Sequence, residues 1–372
     1  MKVRKKSRVI VGMSSGVDSS VAAALLQKQG YDVVGVFMHF WKEPAMDSSI
    51  ENKCCSLESL EDARRVCKIL DIPLYTANAE KEFKKEVVDY FLEEYKSGRT
   101  PNPCVVCNEK IKFNVLIKKM LEMEGDYIAS GHYAIKKEFR QELSSKNTGI
   151  IYRLFQGKDR EKDQSYFLYN FNQQQLARIL FPVGQYEKTE IRKIAKDLGL
   201  PVFDKDDSQG LCFTPEKYPE GFLRRNLKLK KGKIVNTDGK IIGEHDGLPL
   251  YTIGQRRGIN IGGDGPYYVA DKDFKKNLLI VTNKSDDPKL FHKNMIVERA
   301  SWIVEEPKLP VNVLLKLRYR HPSISAIIKA NPKGKKNSYI VEFAEPQKQV
   351  SPGQSAVFFT RDGELLGGGR IK

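Results

Sequence analysis

The chain has no apolar run long enough to cross a bilayer, and its opening, MKVRKKSRVIVGM, passes from a basic stub straight into a strand-like run without an apolar signal region. A membrane partner is therefore not expected, and a cytoplasmic location is. Cysteine is scarce, six in 372 residues. None of the spacings suits a small secreted scaffold, which excludes a structural disulfide framework and leaves thiols kept for reactivity or metals. No internal repeat and no long disordered tract is present. A Walker A loop is missing as well, because no Lys-Ser or Lys-Thr follows the glycine of SSGVDSS at 14–20.

What is present is a chain too long for one ordinary core, 40% hydrophobic and 30% charged, which predicts two or three globular domains. The net charge of +16 is uneven: residues 1–215 carry +4 and residues 216–372 carry +12. Runs such as RRNLKLKKGK (224–233), GQRRG (254–258), KDFKK (272–276) and KANPKGKK (329–336) would attract a polyanion through counterion release. A nucleic-acid partner is the favoured reading, with a merely soluble basic surface as its alternative.

The first third alternates strand and helix signals. SRVIVGM, DVVGVFMHF, PLYTANA and DYIASGHYA read as buried strands; SSVAAALLQKQG and LESLEDARRVCKILD read as helices. This alternation predicts a parallel sheet covered on both faces. In the second helix Leu57, Leu60, Val66, Cys67 and Leu70 are expected on one face, making Cys67 a small core residue. QQQLARILF and KTEIRKIAKDLGL are helical, and past Cys212 short β-like runs separated by NTDGK, HDGLP, GGDGP and NPKGKK dominate. The fold class expected is α/β: a nucleotide-binding domain with its helical part over 1–212, a small mostly-β module over 213–285, and a C-terminal β-barrel over 286–372.

Two stretches carry chemistry. RVIVGMSSGVDSSVAAALL puts small residues between a strand and its helix, where backbone N–H groups at the helix start can hold phosphate. Asp18 in that loop would repel bare phosphate and so suggests Mg2+ between them; its bland reading is a helix cap. RTPNPCVVCNEKIKF (99–113) holds Cys104 and Cys107 just before a helical pattern. That pair is open to four readings: a zinc clip with Cys54 and Cys55, a redox pair, a sulfur carrier, or buried thiols. The adjacent Cys54 and Cys55 make poor tetrahedral geometry, and the TPNP segment reads as a loop, which disfavour the first and the last.

SSGVDSS resembles the SGGVDS loop of the PP-loop ATP pyrophosphatases. With GVFMHFW, CCS, EDARRVCKILDIPLY, GRTPNPCVVCNEKIKF, ASGHYA, KDQSYFL, DSQGLCF, YTIGQRRG, LRYRH and SPGQSAV in this order, the whole chain resembles the bacterial tRNA-specific 2-thiouridylases. The resemblance implies that ATP adenylates the 2-carbonyl of the wobble uridine of tRNA and that sulfur from a protein persulfide displaces AMP. Cys212 matches the persulfide-bearing position, loaded by a sulfur-donor protein, and Cys107 its partner thiol, leaving a disulfide. Gly12, Met13, Ser14, Ser15, Gly16, Val17, Asp18, Ser19, Met38 and Gly131 match the ATP site. Asn102, Pro103, Cys104, His132, Lys162, Asp163, Gln164, Arg318, Tyr319 and Gln354 match positions facing tRNA or its target base.

Two positions depart from the family pattern. Ser15 replaces a glycine, which matters if that position requires positive φ. Cys104 stands where many members have aspartate, and Cys104, Cys107 and Cys212 could instead hold a 4Fe–4S cluster that carries the sulfur. For His132 a core role is an equal alternative. Arg318 and Tyr319, taken as neighbours on a strand, would face opposite ways, leaving one of them in the core. Outside this reading stand a non-catalytic RNA-binding protein with a relic nucleotide loop, and a PP-loop enzyme acting on a small molecule.

Overall fold

The structure, a computed structural model, describes residues 6–43, 57–144, 147–207, 210–214, 216, 218–259, 261–262 and 265–372. Strands β1 (Arg8–Met13), β2 (Asp32–His39), β3 (Leu74–Asn78) and β4 (Tyr127–Ala129) are joined, after a hairpin of β5 (Ala134–Ser144) and β6 (Asn147–Gln156), by β7 (Ile179–Leu180). The first sheet runs β3-β2-β1-β4-β7 with every pairing parallel. The order reverses at β1, and in such sheets the crevice beyond the carboxyl ends at that point is where ligands bind.

Why β1 is central follows from its residues. Val9, Val11 and Met13 face one way into a core shared with helix α1 (Val17–Lys28), helix α2 (Leu57–Ile69) and Ile191 and Ala195 of the helix Lys188–Asp197. Ile10 faces the other way, toward Phe113, Leu116 and Met120 of the helix Phe113–Glu122. Val9, Ile10 and Val11 are fully buried, each contributing about 1.5–3 kcal/mol. Cys67 is core, as its spacing implies: it is 2% exposed, and burial pushes its thiol up to about 11. Leu57 is not; it opens α2 and lies 72% exposed. Strand β3 is also less buried than its apolar letters suggest, because it forms the sheet edge and only Ala77 is covered.

The middle module is a sheet of β8 (Gly232–Asn236), β9 (Ile241–His245), β10 (Tyr268–Asp273) and β11 (Leu278–Thr282), ordered β10-β11-β8-β9 around Ile234, Leu248, Val269, Leu279 and Val281. Strands β12 (Phe291–Trp302), β13 (Val311–Lys316), β14 (Ile324–Ala330), β15 (Tyr339–Lys348), β16 (Ser355–Phe359) and β17 (Glu364–Ile371) follow in the order β12-β15-β14-β13-β16-β17. Pairing of β12 with β17 closes them into a six-stranded barrel. The hairpin β5–β6, unread in the sequence, joins that barrel through Leu154 and Phe155 against Leu365 and Glu364. Val357, Phe359 and Leu365 accordingly share a core with the outer face of the first sheet. No helix of the described residues is long and apolar enough to cross a membrane.

Candidate active site

The loop after β1 turns on its serines. Ser14 N donates to Ser19 Oγ at 3.2 Å, and the hydroxyls of Ser19 and Ser20 donate to Gly16 O at 3.0 and 2.9 Å. Gly16 is the N-cap of α1, in extended conformation and without a side-chain cap, so Asp18 is not the cap. At Ser15 φ is +57°, the left-handed region, and the side chain is buried. A serine there costs about 1–2 kcal/mol of backbone strain that glycine avoids. Its hydroxyl meets Lys205 Nζ at only 3.3 Å. Ser15→Gly should therefore raise stability by about 1 kcal/mol, a rise of about 2 °C in Tm. A thermal melt showing no rise would mean that the Lys205 contact outweighs the strain.

Around this loop stands a charged network of which the sequence marks only Asp18 and Lys162. Lys188, 7% exposed, places Nζ 2.7 and 2.8 Å from the two Asp18 carboxylate oxygens and 2.8 Å from Asp207 Oδ1. Tyr133 donates its hydroxyl to Asp18 Oδ1 at 2.7 Å, and burial with the Asp18 charge pushes that phenol far up. Lys162 binds Asp207 Oδ2 at 2.7 Å, and Arg192 stands 3.4 Å from Oδ1. Burial alone would raise Asp207, but the hydrogen bonds from Lys162 and Lys188 outweigh it and hold the carboxyl at about 2. Asp159 closes the corner, accepting from Lys162 N at 3.1 Å and Lys188 N at 3.0 Å, so three cations stand against three carboxylates beside a helix start. The only sequence signal was the helix signature of KTEIRK, which does not say that its first lysine turns inward.

Gly131, after β4, approaches the loop from the other side: a Cβ there would lie 2.7 Å from Asp18 C and Ser19 N. The absence of a side chain lets the two backbones meet. Met38 is buried at the end of β2, its methyl 3.5 Å from where a Gly12 Cβ would stand. Met13 and Val17 are core residues. His132 is buried, with Nδ1 2.8 Å from Ser130 Oγ and its ring against Phe113 and Phe181. Burial, reinforced by the charge of Lys112, drives its pKa well below the usual value, so it is a neutral imidazole among aromatics.

The cysteine segment begins with Asn102, whose Oδ1 accepts from Val105 N at 3.4 Å and caps the helical turn Pro103–Val106, with Pro103 in its first turn. Cys107 opens a π-helical stretch, Cys107–Lys112, that continues into the helix Phe113–Glu122. Such stretches concentrate at functional sites. Cys104 is half-buried and Cys107 buried. Cys107 belongs to an aromatic cluster with Phe83, Phe91, Phe213 and Phe222, and half-buried Cys212 packs on the same cluster. Phe40, following β2, touches both this cluster and the one containing Met38, so the thiols lie beside the carboxyl end of the sheet.

The remaining residues named from sequence separate by role. Asp163 is buried and accepts from Gly157 N, Ser165 N, Ser165 Oγ and Lys316 Nζ; Gln164 accepts from Tyr133 N at 3.2 Å. Both hold the loop that presents Lys162. Arg318 and Tyr319 are not on a strand: β13 ends at Lys316, and the pair lies in the turn after it. Arg318 is exposed, while Tyr319 rests on Phe167, ring centroids 4.6 Å apart. Gln354 donates to Thr100 O at 2.9 Å and Pro101 O at 3.3 Å. Among the described residues no group of three or more His, Cys, Asp or Glu side chains is arranged to hold a metal ion. The zinc reading falls on Cys54 and Cys55, which lie outside the described residues.

Comparison with known proteins adds the family. The model described as "tRNA methyl transferase HUP domain" matches residues 7–216, that of the "tRNA methyl transferase PRC-barrel domain" residues 220–283, and that of the "Aminomethyltransferase beta-barrel domain" residues 292–371. A tRNA-specific 2-thiouridylase MnmA of Alkaliphilus oremlandii is 45% identical over 375 residues, covering 100% of this chain and 98% of its own. One of Legionella pneumophila is 44% identical over 99% of both chains, and one of Geobacillus thermodenitrificans 41% identical over 100% and 96%.

Proposed function

Because this chain belongs to the tRNA-specific 2-thiouridylases, which are tRNA-uridine 2-sulfurtransferases with a PP-loop ATP-binding domain, we propose that it thiolates the wobble uridine through an adenylate and a cysteine persulfide. The uridine 2-oxygen attacks the α-phosphorus of ATP and pyrophosphate leaves. A donor protein loads sulfur onto Cys212. Cys107 then attacks the inner sulfur of that persulfide, forming the Cys107–Cys212 disulfide and freeing the terminal sulfur, which adds at C2 and displaces AMP.

The observation that carries this reading is the convergence of Cys107 and Cys212, far apart in the chain, on one aromatic cluster beside the carboxyl end of the parallel sheet. The loop backbone of Ser14–Ser19 supplies the phosphate seat, and Lys188, Lys162 and Arg192 supply the charge that develops on leaving pyrophosphate needs. Mg2+ bound with ATP would share the Asp18 and Asp207 carboxylates with these cations. The exposed Arg318 beside Tyr319, and the basic runs of the C-terminal parts, suit an unstacked loop base and a phosphate backbone.

Sulfur incorporation into unmodified tRNA tests the proposal, using iron-free protein, ATP, Mg2+ and a labelled persulfide donor. Thiolation together with tRNA-dependent pyrophosphate release is expected, steeply weakened by salt. Thiolation only after anaerobic loading with iron and sulfide would reject the cysteine relay. Pyrophosphate release indifferent to tRNA would reject tRNA as the acceptor.

A further inference from the structure

The strap that leads into CVVC is held from outside its own sheet. Lys272, on β10 of the middle module, donates from Nζ to Gly98 O at 2.7 Å and to Tyr251 O at 2.8 Å. Thr252 Oγ1 of the same module lies 3.0 Å from Thr100 Oγ1. From the barrel, Gln354 donates to Thr100 O and Pro101 O, and Thr100 N donates to Pro352 O at 2.8 Å. Buried Glu94, in the last turn of the helix Tyr90–Lys96 before the strap, takes Arg99 at 2.7 and 2.8 Å and Arg370 of β17 at 2.5 Å. The fit is close: at Gly98, where φ is +79°, a Cβ would stand 2.3 Å from the Phe274 ring.

All of these grips but the Lys272–Tyr251 bond fall on residues 94–101, immediately before the Asn102 cap that starts the helix of Cys104 and Cys107. Asn102 shares a hydrogen bond with Tyr166, whose hydroxyl donates to Ser355 O of the barrel at 2.9 Å. The backbone hydrogen bonds of an irregular loop are ordinarily satisfied within its own domain or by water. Here the N–H groups of Ser97, Gly98 and Arg99 turn back to the preceding helix, whereas Thr100 N and the carbonyls of Gly98, Thr100 and Pro101 are satisfied by the parts of the chain that carry most of the positive charge.

We propose that Lys272, Thr252 and Gln354 are positioning residues for sulfur transfer, fixing the strap so that the seating of tRNA on the middle module and barrel sets where Cys104 and Cys107 stand. The proposal rests on the function given above and adds to it a mechanical link between the acceptor and the thiols. Burial brings Lys272 down to about 8. The neutral amine still has hydrogens for both carbonyls, so the clamp survives on either side of that pH. Gln354 thereby acts on the cysteine segment through the Thr100 and Pro101 carbonyls.

The test compares Gln354→Ala, Lys272→Met, Lys272→Arg and the near-isosteric Thr252→Val with the parent chain. Three quantities are read: thiolation kcat and KM, tRNA-dependent pyrophosphate release, and the rate at which iodoacetamide alkylates Cys104 and Cys107. A misplacement of about 1 Å at reacting groups can cost about a hundredfold. Thiolation kcat is therefore expected to fall by about tenfold or more in Gln354→Ala and Lys272→Met. KM for ATP and tRNA should stay within about threefold, Cys107 should alkylate several-fold faster, and Lys272→Arg should regain most of the loss. A loss lying wholly in KM for tRNA, with alkylation unchanged, would make Gln354 a direct tRNA contact and overturn the proposal. If the parent chain transfers no sulfur while the variants still expose Cys107, the strap's hold on the thiols stands and the function it serves falls.

Discussion

Cys107→Ser and Cys212→Ser should each abolish sulfur transfer to tRNA, a loss of more than about 10³-fold, while tRNA binding stays within about threefold because no charge is removed. The two substitutions are not equivalent in the folded protein. Cys212 is half-buried, and serine there is nearly silent structurally. Cys107 is 8% exposed within an aromatic cluster, where a hydroxyl is more costly to bury than a thiol. Cys107→Ala removes the sulfur without adding a polar group and is the cleaner variant. Each thiol has a different duty, so the variants should also fail differently. Cys212→Ser should not accept labelled sulfur from the donor; Cys107→Ala should accept it and hold it, visible as a stable labelled persulfide. Pyrophosphate release dependent on tRNA should persist in both. Turnover retained in either variant would refute the relay, and labelled sulfur residing on Cys107 instead would reverse the two roles.

The legible part of this molecule was what local pattern encodes. The apolar runs of β1 and β2, the glycine-ended α1 and the amphipathic α2 announce a parallel sheet, and the cysteines together with SSGVDSS mark its functional edge. Three things were not legible. The helical stretch 80–96 and the hairpin β5–β6 are rich in charged residues and carry no turn signal of the strong Asn-Gly or Asp-Gly kind. The hairpin's place on the barrel depends on contacts with β17, far along the chain. The strain at Ser15 is a property of φ, which the letter serine does not reveal; the sequence could only say that a glycine is usual there. The charged network has the same origin. Lys188, Asp207 and Tyr133 meet Asp18 only when α1, β4 and the helix Lys188–Asp197 pack together, and in sequence each reads as an ordinary helix, loop or strand residue. Gln354 is a related case, since a residue matched to tRNA contact spends its amide on the backbone of the strap.

Lys188→Met is expected to lower tRNA-dependent pyrophosphate release by about 10²–10³-fold, the usual cost of removing one preorganised charge from a site where negative charge develops. The argument turns on what else the ammonium does. It is nearly buried and bridges Asp18 and Asp207, whose side chains are 29% and 28% exposed. Its removal leaves two carboxylates facing one another with only Lys162 and Arg192 on one of them. Breaking a fully buried pair costs about 3–5 kcal/mol, and partial exposure of both acids reduces that here. A loss of rate could thus be mistaken for a loss of fold. The double variant Lys188→Met with Asp207→Asn separates the two, because it removes one acid along with the cation. Stability should return toward that of the parent chain, whereas pyrophosphate release should remain low. The pH dependence gives a second check. Asp207, held at about 2, has its folded value below the unfolded carboxylate value of about 3.9. Its contribution to stability is therefore present above that value and is lost as pH falls toward 2. Lys188→Met should raise the Asp207 value and move acid unfolding to higher pH. If the single variant keeps its rate within about threefold with an unchanged KM for ATP, Lys188 is a structural tie for Asp18 and the charge on the leaving pyrophosphate must be met by Lys162, Arg192 and the loop backbone.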